Sequence, residues 1–232
     1  MTEPKKNRTM SAETTQQLES LGFHESADHG TRPLLICDVD EVVLHLVDPF
    51  EQVLNEQGFY LKSHSFQLTG NVFCSETHRE ATQEEVWNGL DVLFQQQASR
   101  QGIVDGVIDG LNTLAEEIDI VFLTNLPHAY REIRIDYLAE HGLNHPLVTN
   151  SGSKVPAMDR LMKTRQAQVG FIDDTPTNLI QARESLPDLH LFHFMANDRF
   201  RAMAQGIEGA HFSTGHWGEA VSGIRSVLMA ET

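Results

Sequence analysis

Residues 34–43 read LLICDVDEVV: four apolar positions, then an aspartate on either side of Val39. A short apolar run without alternation marks a strand buried on both faces, as in parallel sheets covered by helices. Comparable runs stand at 118–124 (IDIVFLT), 146–149 (PLVT), 168–173 (QVGFID) and 189–194 (LHLFHF). Helical patterns separate them. One covers about 105–116, with Val107, Ile108, Leu111 and Leu114 on one face. Pro127 suits the first position of the next, which ends near Gly142. A third covers 154–164. Thr175 reads as the N-cap of a fourth, with Pro176 behind it, running to Ser185. The last covers 216–229. Strands alternating with helices imply parallel pairing through crossovers. The fold class is therefore α/β: a three-layer sandwich around a mainly parallel, Rossmann-like sheet.

One segment interrupts the alternation. Residues 48–102 read as a small insert in a core made of 31–47 and 103–232. DPFE at 48–51 predicts a helix with Asp48 as cap and Pro49 first, stopped by Gly58. FYLKSHSFQLTGNVF (59–73) predicts a hairpin around Thr69-Gly70-Asn71. TQEE at 82–85 is a capping box opening a helix with Val86, Leu90, Leu93 and Phe94 on one face. Phe59, Tyr60, Phe66 and Phe73 read as the insert's small core. Residues 1–30 are polar and read as a flexible arm, with a short helix near Thr14–Leu21.

Composition narrows the function. The 232 residues carry 17 Lys and Arg against 33 Asp and Glu, a net charge of −16. That balance argues against nucleic acid as a partner and against an anionic membrane surface. Cys37 and Cys74 make neither a disulfide framework nor a zinc site, and the twelve histidines show no zinc spacing. No apolar run is long enough to span a bilayer, and the basic N-terminus lacks the apolar core of a secretory signal. The expected location is the cytoplasm.

The strand ends carry the chemistry. Ligands of open α/β sheets bind at the carboxyl ends of the strands. There stand Asp38 and Asp40, Thr124 with Asn125, and Asp173 with Asp174, while Lys154 opens a helix between the last two groups. Two like charges about 4 Å apart repel by about 4 kcal/mol at an effective dielectric near 20. A cluster of Asp38, Asp173 and Asp174 therefore wants a cation. Hard carboxylate oxygens suit Mg²⁺, which keeps waters and shares a substrate phosphate. Asp38 is then placed to attack phosphorus, and Asp40 to exchange protons with the leaving oxygen and with water. Thr124 offers a hydroxyl and an N–H to a phosphoryl oxygen.

With these residues in this order, the chain resembles a phosphatase of the haloacid dehalogenase superfamily. The matching motifs are LLICDVDEVV, IVFLTN, SGSK and VGFIDD, and the resemblance covers about 34–195. It implies a sheet order of 5-4-1-2-3. It implies Asp38 as nucleophile and Asp40 as acid/base. Asp38, the backbone carbonyl of Asp40, Asp173 and Asp174 would hold Mg²⁺. Thr124, Asn125 and Lys154 would bind the phosphoryl group of a small phosphorylated substrate. The insert stands where one class of cap in this family is placed. Val42 departs from the pattern, since many members have Thr there. Asp40 favours phosphoryl transfer over dehalogenation.

Competing readings attach to several residues. Lys163 competes with Lys154, and Asn178 is a candidate supporting group. Glu41 is read as a solvated turn residue and His45 as a packed flap residue. Arg131 and Arg134 are read as surface salt-bridge partners ahead of binders of a second anionic group. Cys37 should point into the core. Rival functions are phosphotransfer to an acceptor other than water, a receiver-like domain that stores the phosphate, and a silent phosphate-binding protein. Asp40 and the insert count against the receiver, and the full acidic set counts against the silent protein.

Overall fold

The computed structural model describes residues 9–23, 30–62, 70–204 and 206–230. Helix α1 (Ala12–Ser20) precedes strand β1 (Leu34–Cys37). The insert follows with α2 (Val47–Glu56), β2 (Phe59–Leu61), β3 (Val72–Cys74), α3 (Gln83–Gln95) and α4 (Gln97–Arg100). Then come α5 (Val107–Ala115), β4 (Asp119–Thr124), α6 (Arg131–Glu140), β5 (Leu147–Thr149), α7 (Val155–Met162) and β6 (Val169–Asp173). The chain closes with α8 (Pro176–Ser185), β7 (His190–Phe194), α9 (Asp198–Met203), β8 (Ala210–Thr214) and α10 (Trp217–Leu228).

Six strands form a parallel sheet in the order β5-β4-β1-β6-β7-β8. The five expected strands take the expected order. β8 was not anticipated: at the sheet edge its residues alternate in exposure, so AHFST lacks the continuous apolar run of the others. Consecutive residues of β1 feed opposite cores. Leu35 and Cys37 pack with Leu111, Leu138, Trp217 and Ile224 of α5, α6 and α10. Leu34 and Ile36 pack with Leu18, Met158, Leu161 and Leu179 of α1, α7 and α8. This two-sided burial is why the strand reads as unbroken LLIC. Each such Leu or Ile contributes about 1.5–3 kcal/mol of transfer free energy.

The expected arm contains a docked helix. Leu18 of α1 is buried, and Thr14 Oγ1 donates to the Thr149 carbonyl at 2.9 Å. Gln17 Oε1 accepts from Thr149 N at 2.8 Å. β5 is an edge strand with backbone groups to satisfy, and these polar side chains satisfy them. Polarity that looked like looseness is edge coverage.

The insert has its own apolar cluster, from Phe50, Val53, Leu54, Leu61, Val72, Val86, Leu90, Leu93 and Phe94. Leu126 and Met195, from loops beyond β4 and β7, and Phe200 of α9 join it. The insert thus covers carboxyl ends of the sheet. Thr82 and Glu85 form the expected capping box. The hairpin pairs Phe59 with Cys74, Tyr60 with Phe73 and Leu61 with Val72. Thr69 and Phe66 lie outside the described residues. Tyr60 and Phe73 are not in the insert's core: strand alternation turns them to the other face, where their rings lie 5.9 Å apart under Lys62. α2 begins at Val47 without a side-chain cap from its own chain start, so Asp48 is not the cap. Pro127 precedes a 3₁₀ turn, His128–Tyr130, and α6 begins only at Arg131. Among the described residues no helix is long and apolar enough to cross a membrane.

Candidate active site

Register brings the first two aspartates together. Cys37 stands beside Ile172 in the ladder, and Asp38 N donates to the Ile172 carbonyl at 2.9 Å. Asp38 therefore lies beside Asp173, one step past the paired residues. It shares a face with Ile36, the face covered by α7. Lys154 sits at the start of α7, and its Nζ donates to Asp38 Oδ1 at 2.5 Å and to Asp173 Oδ2 at 2.7 Å. Asp38 is 5% exposed, Lys154 3% and Asp173 0%. Carboxylate oxygens of Asp38, Asp173 and Asp174 lie within 4.8 Å of one another. Lys163, the competing lysine, is exposed and pairs with Asp159.

Burial pushes the Asp38 carboxyl up to about 7; Lys154 opposes the rise, while Asp173 and Asp40 add to it. Burial, then Asp173 and Asp38, also push Asp174 up. For Lys154 burial works against the ammonium, yet Asp173 and Asp38 outweigh it and hold the group charged. Three carboxylates share one ammonium, so the cluster is short of positive charge. Its free donors are hard oxygens. Asp38, Asp173 and Asp174 fit a divalent metal ion by that chemistry.

The surroundings brace these acids. Asp173 Oδ1 accepts from Thr175 N at 2.9 Å and from Asn178 Nδ2 at 3.0 Å, which gives Asn178 its supporting role. Thr175 Oγ1 donates to Asp174 Oδ1 at 3.0 Å instead of capping α8. His193 Nε2 donates to the Asp174 carbonyl at 3.0 Å, and its Nδ1 lies 2.6 Å from Ser213 Oγ. Burial lowers the His193 pKa and favours the neutral ring. With Nε2 as donor, Nδ1 accepts from the serine hydroxyl.

Asp40 has different company. Thr124 Oγ1 donates to its Oδ2 at 3.4 Å, and Gln101 Nε2 to its Oδ1 at 3.0 Å. Arg134 Nη2 lies 3.2 Å from the same Oδ1. Arg134 is fully buried, so the surface reading of this residue fails. Sequence offers no local sign of that contact, because α6 meets the start of the chain only in the fold. Arg131 donates to the Leu147 carbonyl and pairs with Glu132.

The reading of Glu41 changes. Glu41 is 1% exposed, not solvated. Its Oε1 accepts from Leu46 N at 2.7 Å and Val47 N at 2.6 Å, and its Oε2 from Asn197 N at 2.9 Å. It supplies the cap that α2 lacks, from a residue with φ of +62°. Asn125 was expected at the phosphate. Its Nδ2 donates to the Gly152 carbonyl at 3.1 Å, and its Oδ1 accepts from Asn150 Nδ2 at 2.8 Å. Its side chain braces the loop that delivers Lys154. Val42 is buried, with its carbonyl accepting from Trp217 Nε1 at 3.0 Å. His45 lies where the insert leaves the core, its N donating to the Gly102 carbonyl at 2.9 Å. Cys37 is buried in the core as expected, and burial pushes its thiol up.

The sequence matches no family model and no curated protein. Solved structures do match. A HAD family hydrolase from Deinococcus radiodurans R1, with bound phosphate and sodium, shares 13% identity at a TM-score of 0.56, over 86% of this chain and 97% of that one. A haloacid dehalogenase-like family hydrolase from Streptococcus pneumoniae shares 11% at 0.54, over 83% and 97%. A putative beta-phosphoglucomutase from Thermotoga maritima shares 13% at 0.53, over 84% and 100%. The likeness spans nearly all of each known structure and, at these identities, is a likeness of architecture: the chain has the haloacid dehalogenase-like fold.

Proposed function

We propose that the protein is a Mg²⁺-dependent phosphomonoester hydrolase that works through an aspartyl-phosphate on Asp38. The observation that carries this reading is Lys154 Nζ between Asp38 and Asp173, with Asp174 alongside, at the carboxyl ends of adjacent strands. Mg²⁺ held by Asp38, Asp173, Asp174 and the Asp40 carbonyl would offset the phosphate's charge. Lys154 and Thr124 bind and orient the phosphoryl group, and Asn125 holds the loop that carries Lys154. An Asp38 carboxylate oxygen attacks phosphorus while the bond to the leaving oxygen breaks. Asp40 gives that oxygen a proton. Asp40 then takes a proton from the water that attacks the phosphoryl group, and the bond to Asp38 breaks to release inorganic phosphate.

The insert (48–102) acts as a cap that shields the site from bulk water and limits what enters. A small phosphorylated metabolite suits a covered site in an acidic protein; nucleic acid and membranes do not. The cytoplasm is the proposed location. The likeness to a putative phosphoglucomutase supports a second reading, transfer to a sugar hydroxyl instead of water. Hydrolysis of an aryl phosphate with and without Mg²⁺, with and without an added alcohol, separates the two. Hydrolysis that needs the metal and yields inorganic phosphate supports the first reading. Phosphorylated alcohol as the main product supports the second, and full turnover in excess EDTA contradicts the metal's role.

A further inference from the structure

We propose that Arg134 and Gln101 are positioning residues that aim Asp40, so that the junctions of the insert govern the proton-transfer step. This rests on Asp40 being the acid/base.

A buried guanidinium is costly unless paired, and an apolar side chain of similar volume serves stability as well or better. Arg134 is 0% exposed on a helix whose neighbours Tyr137 and Leu138 pack into the core. Its one carboxylate partner among the described residues is Asp40. Its other partners are two amides: Nε donates to Gln97 Oε1, and Nη2 donates to Gln101 Oε1 at 3.0 Å. Both glutamines belong to the end of the insert.

Gln101 then links the crossings. Its Nε2 donates to Asp40 Oδ1 at 3.0 Å and to the His45 carbonyl at 3.0 Å. His45 lies where the chain enters the insert and Gln101 where it leaves. The two crossing segments are joined by Val104 N to the Val43 carbonyl, at 2.9 Å. Tyr137 Oη donates to the Gln101 carbonyl at 2.5 Å and fixes this residue to α6. Asp40 Oδ1 is thus held by an ion pair from the core and a hydrogen bond from the crossing. Oδ2 is left toward Thr124, the proposed phosphate side. Oδ2 is the oxygen that gives and takes the proton.

The test compares Gln101→Met, Arg134→Met and Arg134→Lys with wild type and Asp40→Asn. Two substrates are used, an aryl phosphate whose leaving group departs without help and an alkyl phosphate whose leaving group needs a proton. The ratio kcat/KM covers steps up to loss of the leaving group. For Gln101→Met we expect kcat/KM to fall about tenfold or more on the alkyl ester and under about threefold on the aryl ester, a fraction of what acid/base groups contribute. Phosphoenzyme should build up on the aryl ester, since water activation also suffers. Arg134→Lys should recover part of what Arg134→Met loses. Equal losses on both esters, with no phosphoenzyme, overturn the inference. If Arg134→Met does not fold, Gln101→Met decides, because it keeps the Arg134–Asp40 pair. If Asp40→Asn itself shows no preference between the esters, the acid/base reading fails and this inference with it. If Asp40→Asn does discriminate and the other variants do not, the aiming role alone fails.

Discussion

Asp38 and Asp40 are two residues apart, yet different regions of the molecule hold them. Asp38 is gripped from the sheet side, by Lys154 at the start of α7 and beside Asp173 of β6. Asp40 is gripped from the helix and insert side, by Arg134 of α6 and by Gln101 at the insert's end. Asp38 is almost wholly buried, whereas the Asp40 side chain is 16% exposed. Under the proposed mechanism the difference separates two tasks. A nucleophile must sit still beside the metal ligands, and a rigid parallel sheet provides that. An acid/base must meet both a leaving group and a water, and its support comes from the part of the chain that covers the site.

The largest expected break in this comparison is Asp38→Asn. Losing the nucleophile should cost turnover about 10⁴-fold or more, whereas Asp40→Asn should cost about 10²–10⁴-fold. Steady-state rates on an aryl phosphate check both, and similar modest losses would erase the division of labour. Next is Lys154→Met. It leaves Asp38 and Asp173 buried without their cation, so metal-free protein should lose about 3–5 kcal/mol in urea unfolding. Added Mg²⁺ should return part of that, and a loss below about 1 kcal/mol would show that the lysine is not the counter-charge.

A pH series sharpens the Asp38 side. In the unfolded chain this carboxyl titrates near its ordinary value of about 4, and in the fold near 7. Between those values the folded state keeps a proton that the unfolded state has released. Its contribution to stability is therefore present below about pH 4 and is lost as pH rises toward 7, by at most about 1.4 kcal/mol per unit. Asp38→Asn lacks this loss. The metal-free variant should gain on wild type steadily from pH 4 to 7, and a constant difference would contradict the shift. The smallest effect belongs to the insert. Thr82→Ala breaks the capping box and should cost about 1 kcal/mol in thermal unfolding, with kcat/KM unchanged.

The sheet and most of the site were legible because they depend on local features. A strand buried on both faces announces itself as LLIC or VFLT, and the acidic ends follow directly. β8 was hidden because an edge strand buries one face only. The docking of α1 was hidden because its contacts to β5 are polar and far away in sequence. Glu41 looked like a turn residue, and only the fold brings Leu46, Val47 and Asn197 to its carboxylate. Arg134 looked like surface charge on a mixed helix. Its burial depends on Gln97 and Gln101 arriving from another element, which no periodicity on α6 encodes.

The proposed mechanism turns on a covalent phosphoryl group on Asp38. The direct measurement is to mix Asp40→Asn protein with Mg²⁺ and a labelled aryl phosphate, quench in acid, digest, and locate the label by mass spectrometry. One acid-stable, hydroxylamine-sensitive acyl phosphate is expected in the peptide bearing Asp38, absent when Asp38 is also replaced by Asn. Label on another residue, or Asp38→Asn protein that turns over at the wild-type rate, would contradict it.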